Sequence, residues 1–418
     1  MTTFATAPTG LPPAGPTELP PAGPTELPPA GPTGLSGAAV LSARIREFLD
    51  EPGRGTPFLV VDLDVVEDRF RELRAALPPA AIYYAVKANP ARDIVRRLVR
   101  LGSNFDIASP AELDICLTAG AEPHRISYGH TVKKASDIAY AYSRGVRQFA
   151  FDSHAELEKI AQFAPRSAVV CRLLVDNSGA QWPLSGKFGC SAGMAATLLV
   201  DAVRLGLDPL GLSFHVGSQQ LDPRQWQDGI DVAAGIFAKL ARVGISLRML
   251  NLGGGFPAQY RDQIPPLVGY GRAIDTSLRR SFGGGAPAVA VEPGRFLVGD
   301  AGVVCAEVVL VSRKSFADST RWVYLDVGRF GGLAETEGEA IKYRIITPHD
   351  GRPVGPTIIA GPTCDSVDVL YGKGTYRLPL ELRAGDRIVL LSAGAYTATY
   401  ASVGFNGFDP LPTYCIAG

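Results

Sequence analysis

Lys87 closes the apolar run Ile82-Tyr83-Tyr84-Ala85-Val86, and Asn89-Pro90 follows it directly after Ala88. β-Branched and aromatic side chains in such a run make a buried strand, and Asn-Pro ends it in a turn. A lysine there either snorkels its ammonium into solvent or stays inside. If it stays, lost hydration lowers the amine's pKa and makes it a nucleophile able to capture an aldehyde. Gly253-Gly254-Gly255 exposes successive backbone N–H groups, a pattern that cradles a phosphate or simply makes a tight turn. Arg295, in Glu292-Pro293-Gly294-Arg295, adds a forked cation suited to a phosphate dianion. Glu292 is then either the salt-bridge partner of Arg295 or a carboxylate that keeps a pyridine nitrogen protonated, which makes the ring an electron sink. An aldehyde-capturing lysine, a phosphate cup and a pyridinium carboxylate are the three parts that pyridoxal 5'-phosphate (PLP) requires. His215 could lie on the ring face and Ser218 could donate to the phosphate, whereas His130 and His154 read as structural, His154 near a helix start.

These residues need a scaffold that brings them together. Besides the strand of Lys87, strand patterns cover 104–107, 125–128, 148–151, 168–175, 212–216, 249–252 and 288–291. Helical patterns lie between them at 110–119, 133–143, 154–163, 192–205, 225–243 and 270–281. Eight strands alternating with helices over about 240 residues predict a closed (β/α)8 TIM barrel, with an open doubly wound sheet as the alternative. Chemistry in such barrels gathers at the C-terminal strand ends. Lys87, Asp106, Arg172, His215, the 253–255 loop, Glu292 and Arg295 would all meet there. After about residue 299 the texture changes to closely spaced β-rich runs at 303–311, 322–326, 357–360, 387–391 and 413–416, which predict a C-terminal β-rich domain of sandwich or barrel type. The expected organisation is a disordered tail over 1–38, a segment 39–56 joining the β-domain, the PLP-binding barrel over 57–298 and the β-domain over 299–418.

Composition narrows the classes further. The 418 residues are 46% hydrophobic and 20% charged, and Lys+Arg and Asp+Glu balance at 41 each, so nothing marks nucleic acid as a partner. Six cysteines without CxxC or Cys/His spacing indicate neither a zinc site nor a disulfide scaffold. Leucines at 11, 19, 27 and 35 mark a period of eight in a Leu-Pro-Pro-Ala-Gly-Pro-Thr-Glu repeat that should be disordered or locally polyproline II. It reads as a passive extension, or else as a ligand for a proline-reading domain. The sequence has no export signal and no apolar span long enough for a membrane, so the expectation is a cytoplasmic protein.

Seven motifs in register carry a family resemblance: Tyr84-Ala85-Val86-Lys87, His215-Val216-Gly217-Ser218, Gly253-Gly254-Gly255-Phe256-Pro257, Glu292-Pro293-Gly294-Arg295, Gly361-Pro362-Thr363-Cys364-Asp365, Gly394-Ala395-Tyr396-Thr397 and Phe405-Asn406-Gly407-Phe408. From residue 57 to the C-terminus the chain resembles the ornithine/lysine decarboxylases, fold-type III PLP enzymes. The resemblance implies that Lys87 holds PLP covalently, Glu292 bonds its pyridine nitrogen and His215 stacks on its ring. Ser218, Gly253, Gly254, Gly255, Arg295 and Tyr396 would hold the phosphate, with Asp106, Glu112 and Arg172 shaping the site behind the cofactor. Cys364 would return a proton to Cα after carbon dioxide leaves, a step that suits a thiol of ordinary pKa about 8.5. Asp365 would hold the substrate's distal ammonium, and Phe405 belongs to the same substrate side. In this family those last residues come from the neighbouring subunit, which implies an obligate homodimer.

The resemblance implies decarboxylation of a basic L-amino acid, L-ornithine to putrescine first, with L-lysine to cadaverine or dual specificity as the alternative. Glu339 is the candidate for a second ammonium-binding carboxylate, although the animal-type pattern has Tyr-Asp where Gly338-Glu339 stands. Diaminopimelate decarboxylases typically carry Cys-Glu in place of Cys364-Asp365, and the chain is short for the arginine branch. Two other classes share the fold. A catalytically silent regulator resembling the antizyme inhibitors is opposed by intact Lys87, Cys364 and Glu292. A racemase is opposed by a carboxylate at Glu292.

Overall fold

The computed structural model of the protein describes residues 41–183 and 186–418, and the proline-rich repeat lies outside them. Eight parallel strands, Ala80–Ala85, Asn104–Ile107, Ile126–Tyr128, Gln148–Phe151, Ala168–Arg172, Asp208–Ser213, Met249–Asn251 and Ala288–Val291, close into a barrel. Closure comes from the last strand pairing with the first, Val291 opposite Ile82, which excludes the open sheet. Each strand overlaps an expected run, although the sixth is displaced, spanning Asp208–Ser213 where 212–216 was expected, so His215 lies in the loop beyond it. The fifth stops at Arg172 instead of running to 175, because Leu173 leaves the barrel and bridges to Cys190.

Local sequence explains the helices. Ser109 and Ser153 accept from the backbone N–H of Glu112 and Glu156, each three residues on, and so cap the helices Pro110–Thr118 and His154–Phe163. Glu112 also accepts from Ala108 N–H at 2.6 Å, one residue ahead of the cap, and so fixes where the strand-two loop turns. The helix Trp226–Ala241 is anchored by Trp226, which stacks on Phe256 at 5.1 Å and donates its indole N–H to Leu252 O at 3.1 Å. That fully buried ring sits under the glycine loop, and truncating such a side chain costs about 3–5 kcal/mol.

The second body is mostly strand. Its path runs through Ile345–Ile346, Arg387–Leu390, Gly302–Ser312, Arg321–Leu325, Val354–Ala360 and Val369–Pro379. The last of these was absent from the sequence reading, because Gly372 and Gly374 interrupt its alternation. One segment taken with the barrel above belongs here: Phe58–Asp62 pairs antiparallel with residues 302–305 and parallel with Thr413–Ile416. All five of its residues are buried, as a strand between two neighbours requires. Helix Ala43–Asp50 packs Phe48 against Phe58 and Tyr414 of this sheet. Two of the six cysteines, Cys171 and Cys190, stand with their sulfurs 3.6 Å apart as buried free thiols.

Candidate active site

The strand of Lys87 ends in a single 3-10 turn, Val86–Ala88, that the β-domain holds from outside. Tyr396 N–H donates to Ala88 O at 2.8 Å, and Asn89 Nδ2 donates to Gly394 O at 2.9 Å. Lys87 is therefore aimed by backbone on both sides into the barrel mouth, where its side chain keeps 49% of its exposure. It neither snorkels to the outer surface nor becomes a neutral amine. Burial pulls its pKa down, but the Asp106 carboxylate 3.6 Å away, helped by Tyr396 and Glu292, overrides that and holds the ammonium above its ordinary value.

Asp106, on the second barrel strand, is 4% exposed, and its Oδ1 has no hydrogen-bond partner among the described residues. Burial and the nearby Glu292 carboxylate push its pKa up to about 8, against the pull of Lys87. Only a glycine fits beside it, since a Cβ on Gly129 would lie 1.9 Å from Oδ1. Glu112 lies behind, committed to Ala108 N–H, and burial raises its pKa. Arg172 and Glu292 line one cavity with Asn251, Ser127 and Gln148, and Arg172 lines the adjoining one with His215.

Glu292 is not the partner of Arg295. Its Oε1 accepts from Asn251 Nδ2 at 2.5 Å, while Asn251 Oδ1 accepts from Gly253 N–H at 2.9 Å. One buried side chain thus fixes both the carboxylate and the glycine loop. The sequence reading missed Asn251, whose signal is a polar residue ending an otherwise apolar strand. His215 Nδ1 accepts from Gly217 N–H at 3.0 Å, so its proton sits on Nε2. Burial, with Arg172 and Lys87 nearby, drives its pKa well down and keeps the ring neutral.

Arg295 is 3% exposed and spends all five N–H donors within the protein. Two go to Glu335 at 2.6 and 2.8 Å, one to Tyr260 Oη at 2.7 Å, and two converge on Ser218 Oγ at 3.1 Å. Burial opposes the guanidinium's charge, but Glu335 outweighs it and keeps the pKa well above normal. With both lone pairs of Ser218 taken, its O–H is left to donate outward. The N–H groups of Gly254 and Gly255 donate to nothing else among the described residues. Tyr396 lies with its ring 4.9 Å from the Arg295 guanidinium, and burial raises its phenol pKa.

Glu339 is a correction. Its carboxylate is buried in the β-domain, where it accepts from Gly372 N–H, Lys373 N–H and Thr375 Oγ1 at 2.9, 2.6 and 2.9 Å, so it braces a hairpin. The acid that reaches the mouth is Glu335, four residues earlier. Cys364, Asp365 and Phe405 are not brought to Lys87 within one chain. Cys364 is exposed and bonded to Asn406, Asp365 accepts from Val367 N–H at 3.0 Å, and Phe405 packs on Phe330 at 4.8 Å. His130 rests edge-on against Phe188, and His154 opens its helix.

The mouth thus offers an amine facing open space, a buried carboxylate oxygen with no partner, a second carboxylate held by an amide, a neutral imidazole and free backbone N–H groups beside a hydroxyl. That set matches the aldehyde, pyridine and phosphate of PLP and defines a PLP-dependent barrel enzyme. Residues 63–299 match the family described as pyridoxal-dependent decarboxylase, pyridoxal binding domain. A lysine/ornithine decarboxylase of Selenomonas ruminantium is 34% identical over 359 residues, covering 86% of this chain and 89% of that protein. Antizyme inhibitor 2 of Xenopus laevis is 32% identical over 375 residues, 85% of this chain and 80% of its own. The solved structure of SrLDC in complex with PLP and cadaverine superposes with a TM-score of 0.80 at 33% identity, covering 90% of this chain and 94% of that one. The chain belongs to the fold-type III PLP-dependent decarboxylases, the family of the ornithine, lysine and arginine decarboxylases. No described helix is long and apolar enough to cross a membrane.

Proposed function

We propose that the protein decarboxylates a basic L-amino acid, L-ornithine to putrescine and carbon dioxide, in the cytoplasm, with L-lysine as the alternative substrate. The observation that carries the reading is the grouping of Lys87, the unpartnered Asp106 oxygen and the amide-held Glu292 in one mouth. When bound, PLP supplies an aldehyde for amines and a ring that takes up the electron pair left when the Cα–carboxylate bond breaks. Lys87 would hold the aldehyde carbon, and Asp106 keeps that amine oriented. Asn251 fixes Glu292 to bond the pyridine nitrogen, and neutral His215 covers the ring face without adding charge. Ser218 and the free N–H groups of Gly254 and Gly255 would take the phosphate, with Arg295 and Tyr396 supporting them.

Cys364 would deliver its S–H proton to Cα and recover one from water. Asp365 would bind the distal ammonium, with Phe405 lining the same side. Since these three bond away from Lys87 in a single chain, a second copy is needed to bring them in, which supports a homodimer with shared sites. Similarity to a relative named for both lysine and ornithine supports either substrate. A silent regulator is disfavoured by the intact Lys87 and Glu292 arrangement.

The test is carbon dioxide release with PLP from L-ornithine and L-lysine side by side, with L-arginine and meso-diaminopimelate as controls. Release from ornithine above lysine supports the first reading, the reverse supports the second, and none from any substrate refutes both. Mixing Lys87→Ala and Cys364→Ala proteins, neither of which should form diamine alone, should restore diamine formation through hybrid dimers; failure to do so refutes shared sites.

A further inference from the structure

Cys364 and Asn406 face each other across two chain segments and exchange hydrogen bonds in opposite directions. Cys364 N–H donates to Asn406 Oδ1 at 3.2 Å, and Asn406 Nδ2 donates to Cys364 Sγ at 3.3 Å. The backbone donor settles which way the amide faces, because only its oxygen can accept. Asn406 is aimed by a left-handed backbone, φ 53°, between Gly404 at 76° and Gly407 at 78°. Asparagine is the side-chain-bearing residue that most readily takes this conformation.

Both sides of the contact are braced. Phe405 packs its ring against Phe330 beneath the Asn406 turn, 4.8 Å between centroids. On the cysteine side, the buried Asp368 carboxylate accepts from Thr363 N–H and Oγ1 at 3.1 and 2.7 Å and from Arg329 N–H at 2.8 Å. The loop carrying Cys364 is so close to that carboxylate that a Cβ on Gly361 would lie 2.4 Å from its oxygens. A sulfur held by an amide between two braced loops is more than a surface thiol requires.

We infer that Asn406 is a positioning residue for the Cys364 thiol, holding its sulfur by an N–H···S bond so that the S–H is free to point at the carbon it protonates. The inference rests on the role proposed for Cys364 above. In the step, the S–H bond breaks, a C–H bond forms at Cα with the electron pair left by carbon dioxide, and the sulfur keeps its own pair as thiolate. Water then reprotonates the thiolate. An amide donor on the sulfur stabilises that thiolate and so eases the transfer.

The variants separate position from chemistry. Asn406→Asp keeps an oxygen for Cys364 N–H but loses the donor to sulfur, whereas Asn406→Ala loses both. The readout is alkylation of Cys364 in the PLP-loaded protein by iodoacetamide, followed by mass spectrometry of its peptide from pH 6 to 10. Asn406→Asp should alkylate at least tenfold more slowly at pH 7.5, with its pH profile moved to higher pH, and Asn406→Ala should slow about threefold. Diamine formed per carbon dioxide released should fall in both. A profile for Asn406→Asp that superimposes on wild type refutes the inference; if that variant does not fold, an unchanged profile for Asn406→Ala refutes it. Full diamine yield from Cys364→Ala instead refutes the proton-donor role itself, whatever the alkylation result.

Discussion

Replacing Glu335 by leucine should destabilise the protein as strongly as any single change in the mouth. The side chain is 2% exposed and makes two charge-assisted bonds to a guanidinium that is itself 3% exposed. Unit charges about 4 Å apart attract by about 4 kcal/mol at an effective dielectric of 20. Breaking a buried pair by removing one partner costs about 3–5 kcal/mol, because the other charge is left unpaired. Unfolding the roughly 380 described residues carries an entropy near 0.8 kcal/mol/K, so a loss of about 4 kcal/mol lowers Tm by about 5 °C. The assay is thermal unfolding of PLP-free protein for Glu335→Leu, Arg295→Met and the double variant. Each single variant should lose about 4–6 °C, and the double should regain at least half of the summed loss, because no buried charge remains. Single losses near 1 °C, or strictly additive ones, would show that the pair carries no such coupling and would refute the reasoning.

Two further changes probe the same mouth. Gly129→Ala drives a methyl into Asp106 Oδ1, so it should leave the circular dichroism spectrum intact while weakening PLP binding at least tenfold by equilibrium dialysis; unchanged affinity would mean that the carboxylate can move at no cost. Asp106 keeps its proton to about 8 when folded but sheds it in the ordinary carboxylate range when unfolded. Its contribution to stability is therefore present at low pH and lost as pH rises toward 8. Glu292, Glu112, Lys87 and Arg172 are the charged groups that set this value, and the stability that the raised Lys87 contributes is constant through that window and is lost only at higher pH. Asp106→Asn should accordingly flatten Tm between pH 5 and 8 relative to wild type, and parallel curves would refute the assignment.

The barrel was legible because each strand is a short apolar run and most of the helices between carry their own period, a local signal, although the helix Arg92–Arg100 was not among those expected. The mouth was legible for a related reason: Lys87, His215, the 253–255 loop and Glu292 each sit where a strand stops. Pairing was not legible. Phe58–Asp62 is apolar on both faces, which suits a barrel strand and a sheet strand equally well. Among Glu335, Glu337 and Glu339, three acids in alternate positions, nothing local tells which is drawn to Arg295. Two kinks with left-handed or extended backbone at Glu337 and Gly338 decide it, by turning Glu339 toward Gly372 and leaving Glu335 to the guanidinium. Asn251 was overlooked since the bond that gives it a role in the site reaches Glu292, at the end of another strand.

The strand Phe58–Asp62 also constrains how the protein is made. One of its edges pairs near residue 303, and the other pairs in parallel with Thr413–Ile416, about 350 residues further along the chain. A ribosome adding ~5–20 residues per second needs ~20–70 s to cover that distance. Throughout that interval four apolar residues, Phe58 to Val61, stand with an open strand edge outside the tunnel, while the barrel strands behind them can pair as they emerge. The nascent chain therefore carries an adhesive segment for most of its synthesis. Stop codons or pauses late in the message, well past the last barrel strand, should harm solubility as much as those within it.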